Sequence, residues 1–142
     1  MVRTIHLNPG NLARARLREM MEKLAQEGRG DQGSWTPAVD IFETNDAVVI
    51  VAEVAGVNQQ DLRVIVDGNL VRLYGQREPT CCEGGARFHR LEIESGGFVR
   101  SFRIGVPFNS DKVQAHTADG LLFVTLPKEK HSRERKIRVT KI

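Results

Sequence analysis

The 142-residue chain has no apolar run near the ~18 residues that a membrane-crossing helix needs. Stable membrane insertion is therefore not expected. The first ten residues, MVRTIHLNPG, lack the apolar core of a secretory signal, and a cytoplasmic location is the expectation. There are only two cysteines, and they are neighbours, Cys81 and Cys82. Adjacent cysteines cannot close an ordinary loop, so a disulfide framework is excluded. Neither a CxxC pair nor a Cys/His set with zinc spacing is present. The four histidines (His6, His89, His116, His131) are scattered and form no H-E-x-x-H motif. G-x-S-x-G is absent, as are both glycine-rich phosphate-binding patterns. No catalysis, no metal and no cofactor is expected. Residues 1–34 also contain no Phe, Tyr or Trp, so any apolar contact they make must come from aliphatic and methionine side chains.

What the chain does have is unevenly spread. Residues 127–142 carry seven basic side chains against two acidic ones, whereas residues 35–126 carry eight basic against twelve acidic. The basic character of the whole, net +3, thus belongs to the ends. A basic tail suits either nucleic acid or a solubilising role toward an acidic partner surface. The tail has no aromatic residue for base stacking and matches no nucleic-acid module, which argues against nucleic acid.

Three regions follow from periodicity. Residues 1–34 form an arm and linker, in which 9–27 read as one amphipathic helix: Ala13, Leu17, Met20, Met21 and Leu24 make a single apolar stripe, with Leu12 nearby. Pro9 or Asn11 suits its start and Gly28 its end. The stretch EGRGDQGS then breaks the pattern. From Trp35 to Pro127 the period is two. TPAVDIFET, DAVVIVAEV, DLRVIVDGN, LVRLYGQ, ARFHRLEI, FVRSFRI, KVQAHT and LLFVTLP make about eight short strands, with hairpin turns at Asp67-Gly68 and Asp119-Gly120. That pattern predicts an all-β, immunoglobulin-like antiparallel β-sandwich. Residues 128–142 are charged and aperiodic except for Ile137 and Val139, which share one face if the segment is extended.

Five features in order resemble the small heat-shock proteins of the alpha-crystallin-domain family, in the plant and bacterial branch. They are the opening WTPAVDIFE, the turn AGVNQQDLRV, GGFVRSF, the closing AHTADGLLFVTLPK, and the tail triplet Ile137-Arg138-Val139. Together they cover roughly residues 35–139. Ala55 stands where that family usually has Pro, and Gly105 replaces another frequent Pro. The family's arms are usually rich in Phe and Trp, which this arm lacks.

The resemblance implies an ATP-independent chaperone that holds unfolding proteins and works as an exchangeable homo-oligomer. Ile137 and Val139 would dock in a neighbouring subunit's groove, lined by Leu62, Val64 and Val66 on one strand and by Val113 and Ala115 on another. Burying two such aliphatic side chains yields roughly 3–6 kcal/mol gross, and ordering the tail consumes much of it. Each contact is then weak, while many together hold an assembly. The strand RFHRLEI would leave its own sandwich and pair with the partner's Trp35–Phe42 strand, giving a strand-exchanged dimer with Trp35, Val39, Ile41, Phe88, Arg90, Leu91 and Arg100 at the seam. Leu12, Leu17, Met20, Met21 and Leu24 would meet unfolded client proteins, for which flexible methionine is well suited. The competing expectation is a β-sandwich adaptor of the co-chaperone type that binds one folded partner and needs no tail docking.

Overall fold

A computed structural model describes residues 2–6, 34–81, 84–130 and 138–141. The helix expected over 9–27, with Leu12, Leu17, Met20, Met21 and Leu24, lies outside the described residues, as does Ile137.

Among the described residues, eight strands form two four-stranded antiparallel sheets. They are β1 (Val2–His6), β2 (Val39–Glu43), β3 (Ala47–Glu53), β4 (Leu62–Asp67), β5 (Leu70–Arg77), β6 (Gly96–Arg103), β7 (Gln114–Ala118) and β8 (Leu121–Pro127). The first sheet runs β1-β4-β5-β6 and the second β2-β3-β8-β7. Short 3₁₀ turns, Gln59–Asp61 and Ser110–Lys112, precede β4 and β7.

The period-two residues explain the core. Leu62, Val64 and Val66 of β4 and Val71 and Leu73 of β5 point inward and are fully buried. They meet Ile50 and Ala52 of β3 and Leu122, Val124 and Leu126 of β8, all equally buried. Two hairpins are tight. Between Ala118 and Leu121 the two turn residues Asp119 and Gly120 both have positive φ, +52° and +79°, the backbone that matches the twist of antiparallel strands. The β4–β5 hairpin closes through Gly68-Asn69, one residue later than the expected Asp67-Gly68, because Asp67 pairs with Leu70.

Seven of the expected strands form; the eighth, RFHRLEI, does not. Residues 86–95 are almost entirely exposed, bend at His89 and Ile93 and form no ladder of their own, because an alternating sequence becomes a strand only when a neighbour pairs with it. The structure instead adds β1, which the sequence did not suggest.

The base of that exposed segment is firmly held. Trp35 lies edge-on to Phe98, ring centroids 5.1 Å apart, and its Nε1 donates to the Gly96 carbonyl at 2.8 Å. The Arg77 guanidinium stacks over the Trp35 ring at 3.8 Å. It donates twice to the Glu94 carbonyl, at 2.8 and 2.6 Å, and once to that of Ala55 at 3.1 Å. One arginine therefore ties the end of β5, the return of the 78–95 segment and the Trp35 ring together. A planar, five-donor fork can do this; a point-charge lysine cannot.

Two outcomes are expected. A Cβ added at Gly75 would sit 2.2 Å from Cε1 of Phe98 and 2.9 Å from Cδ2 of Leu62. Both neighbours are fully buried, so Gly75→Ala should cost about 1–3 kcal/mol in urea unfolding, as overpacked cores do. Arg77→Ala should cost about 1–2 kcal/mol from lost hydrogen bonds and ring stacking. It should also accelerate amide exchange across 84–95, while β4 and β5 keep their protection.

Candidate assembly interfaces

Three surfaces are candidates for assembly: an edge strand, an exposed segment outside the sheets and a groove between them. The first is β2, the outermost strand of the second sheet: among the described residues no strand lies beyond it. Ile41 pairs with the buried Ile50 of β3 and so points toward the interior, yet it is 45% exposed. Phe42, on the opposite face, is 49% exposed. An edge with free amides and carbonyls and bare apolar side chains on both faces is a strand acceptor unless something covers it. Asp40 and Glu43 are the charged residues on that strand.

The second surface is the 86–95 segment. Phe88, Leu91 and Ile93 are 52%, 71% and 62% exposed. Arg90 is also exposed and reaches Glu92 at 3.7 Å, with both side chains more than two-thirds open, a pair worth little in water. Two residues expected at the dimer seam lie elsewhere. Trp35 is buried in its own core at 6% exposure, held as described above. Arg100 pairs with the inward-facing Leu73, and its Nη1 donates to the Pro37 carbonyl at 2.7 Å. Its guanidinium also lies 5.1 Å from the Phe102 ring. Both residues fasten the Trp35–Ala38 lead-in to β6, because the chain passes beside β6 before turning into β2. Alternation alone does not reveal such a crossing. Val39 is half-buried and packs against the core, whereas Ile41, Phe88, Arg90 and Leu91 remain on the outside.

The third surface is the groove between β4 and β7, which are edge-side strands of the two facing sheets. The structure gathers the expected lining: Leu62, Val64, Val66 and Val113 belong to one buried cluster, and Ala115 packs against it. The tail is not in this groove, since Val139 is 93% exposed. The groove is filled from within the same chain. β1 pairs antiparallel with β4, setting Arg3 opposite Val66 and Ile5 opposite Val64, with Ile5 packed against the core. The expectation of an open acceptor is thereby corrected: the outer edge of β4 already has its ladder. Sequence reasoning missed β1 because five residues beside a helical stripe carry too little periodicity. The available signal was Ile5, two residues from Arg3, in the only short β-prone stretch before Pro9.

No helix among the described residues is long and apolar enough to cross a membrane.

Comparisons with known proteins agree with this geometry. The Hsp20/alpha crystallin family profile matches residues 40–140. Small heat shock protein C2 of Rickettsia felis is 32% identical over 103 residues, 72% of this chain and 67% of that protein. An 18.3 kDa class I heat shock protein of Oxybasis rubra is 40% identical over 91 residues, 63% of this chain and 56% of that protein. The aligned stretch thus spans only part of each relative's own length. Among solved structures, a small heat-shock protein from Xylella fastidiosa superposes with a TM-score of 0.65 at 28% identity, covering 76% of this chain and 99% of that one. Heat shock protein 16.0 from Schizosaccharomyces pombe gives 0.62 at 30% identity, covering 75% and 99%. With the profile running across most of its length, the chain belongs to the Hsp20/alpha crystallin family of small heat-shock chaperones.

Proposed function

We propose that this protein is an ATP-independent holdase: it binds unfolding proteins, prevents their aggregation, and works as an exchangeable homo-oligomer without enzymatic chemistry. The observation that carries the reading is the pairing of two unsatisfied features in one chain. β2 is an apolar edge with no strand beyond it, and residues 88–93 are an exposed segment carrying Phe88, Leu91 and Ile93 with no partner strand among the described residues. Each supplies what the other lacks, so a reciprocal exchange between two copies satisfies both. The sequence alternation of RFHRLEI, without a strand in the single chain, fits a strand that is completed only across a twofold seam. Ile41, Phe88, Leu91 and Arg90 lie at that seam; Trp35 and Arg100 support it from inside by fixing the lead-in to β2.

Larger assembly would come from Ile137 and Val139 of one subunit in the β4–β7 groove of another. Two aliphatic side chains give weak, reversible contacts, and many of them in parallel give a stable but exchanging particle. The Xylella fastidiosa protein adopts a distinct high order structure, which favours higher assembly here as well. Clients would be met by the aliphatic and methionine stripe of the arm, Leu12, Leu17, Met20, Met21 and Leu24, while the basic tail keeps the complexes soluble.

Two measurements test the reading. Heating an aggregation-prone enzyme with equimolar subunits, without ATP, should suppress most of the rise in light scattering; an unchanged trace overturns the holdase. In analytical ultracentrifugation the intact chain should exceed a dimer in mass. Ile137→Ala/Val139→Ala should fall to dimers, and Leu91→Asp/Ile93→Asp to monomers; masses that do not move overturn the respective seam.

A further inference from the structure

The β2 edge and the exposed 86–95 segment carry opposite charges in a spacing that a single pairing satisfies. On β2, Val39, Ile41 and Glu43 stand opposite the buried Ala52, Ile50 and Val48 of β3 and so lie on the inward face. Asp40 and Phe42 lie on the outward face. Backbone bonds at the two ends of the strand fix which residues turn toward β3. The Glu53 amide donates to the Ala38 carbonyl, and the Thr44 amide donates to the Ala47 carbonyl. Antiparallel ladders alternate, so Asp40 and Phe42 also bond toward β3, while Val39, Ile41 and Glu43 send their amides and carbonyls to the open side.

The other segment has the complementary signs. Arg87 and Arg90 are both exposed. Arg87 and Asp40 have no ion pair among the described residues, and Arg90 has its open contact with Glu92. Glu43 meets the Lys128 Nζ at 2.5 Å, yet its side chain stays 52% exposed. Laid antiparallel along β2, the segment has one register in which Arg90 falls opposite Asp40, Arg87 opposite Glu43, Phe88 opposite Phe42 and Leu91 opposite Val39, with His89 against Ile41. Both acids then meet arginines and the two aromatic side chains meet each other, the cross-strand pairs that stabilise sheets. Asp40–Arg90 and Phe42–Phe88 become the non-hydrogen-bonded pairs, whose Cα atoms stand closest, at about 4.5 Å. A slip of two residues one way sets Asp40 against Glu92. A slip of two the other way leaves Asp40 opposite Phe88 and Glu43 opposite Gly85. A slip of one turns Arg90 and Glu92 to the inward face.

We propose that these charges set the register of the seam and select its occupant: Asp40 and Glu43 of one copy recognise Arg90 and Arg87 of a second copy of this chain. This rests on the strand-exchange reading above and adds to it the residues that recognise the partner. The bends at His89 and Ile93 straighten once the open side of β2 supplies a ladder. Arg90 gives up a solvent-open contact within its own segment for one across the seam. A related sandwich without basic side chains at these two positions would leave both acids uncompensated, so the same pairs that attract the right partner disfavour a wrong one.

The test places cysteines at Phe42 and Phe88 in full-length chain whose own thiols are removed by Cys81→Ser/Cys82→Ser. A non-hydrogen-bonded pair brings Cα atoms within the roughly 4.4–6.8 Å that a disulfide spans. With oxidised glutathione, Phe42→Cys/Phe88→Cys should run mostly as a covalent dimer on a non-reducing gel. The slipped pair Phe42→Cys/Arg90→Cys should cross-link about tenfold more slowly or worse. Adding Asp40→Arg to the first variant should slow cross-linking about tenfold, because like charges then face each other at both seams of the dimer. Adding Arg90→Asp as well should restore the rate. Faster cross-linking of the slipped pair, a rate indifferent to Asp40→Arg, or no recovery in the double reversal overturns the proposal and leaves strand exchange standing. Covalent dimers from neither cysteine pair, in variants whose circular dichroism shows intact sheets, overturn strand exchange and this proposal together.

Discussion

A β-sandwich must do something with its edges. Two stacked four-stranded sheets present four outermost strands, here β1 and β6 in one and β2 and β7 in the other, each with a row of amides and carbonyls that is costly to leave buried and hazardous to leave bare. In this protein the core is ordinary and closely alternating; the edges differ from one another. β4 receives β1. β6 receives the lead-in, with the Ser34 amide donating to the Gly97 carbonyl and Trp35 and Arg100 fastening the same stretch. β1, β2 and β7 have no strand beyond them among the described residues, and of these β2 carries Ile41 and Phe42, both half-exposed. The functional reading follows from that inequality.

The sandwich was legible in the sequence because its strands are half-buried and local. β3 is β-branched throughout, and β4 alternates so that its inward phase could be assigned in advance at Leu62, Val64 and Val66, all of which are fully buried. What escaped were features that depend on a partner distant in sequence or in another chain. RFHRLEI has the alternation of a strand but no neighbour within the described residues. VRTIH has a neighbour, β4, some sixty residues away, and too few residues to declare itself. Trp35 and Arg100 are placed at the dimer seam by the family resemblance, which pairs strands across subunits. They face inward because the lead-in crosses beside β6, a matter of path that periodicity does not encode.

Burial and exposure also sort the expected site residues by the kind of role each can have. Arg77 and Trp35 are engaged with their own chain. They set the angle at which residues 78–95 leave the sandwich, through three hydrogen bonds to backbone carbonyls and a stacked ring. A segment that must reach a partner is useful only if its root is rigid, since orientational freedom at the root would be lost again on pairing. On the function proposed above, the exposed Phe88, Leu91 and Ile93 would supply contact area and the clamp beneath them direction.

The unequal treatment of β2 and β4 implies an order of assembly. The β2 edge has no internal substitute among the described residues, so a single chain with Ile41, Phe42, Phe88, Leu91 and Ile93 uncovered is a poor solution species, and pairing there gains buried apolar area and a new ladder together. The β4 edge does have a substitute. β1 supplies its ladder and covers Val64 and Val66 without help from another subunit. Contacts at β4 can therefore break without exposing an unpaired edge, whereas contacts at β2 cannot. On the function proposed above, a particle that used both edges would come apart at β4 before it came apart at β2.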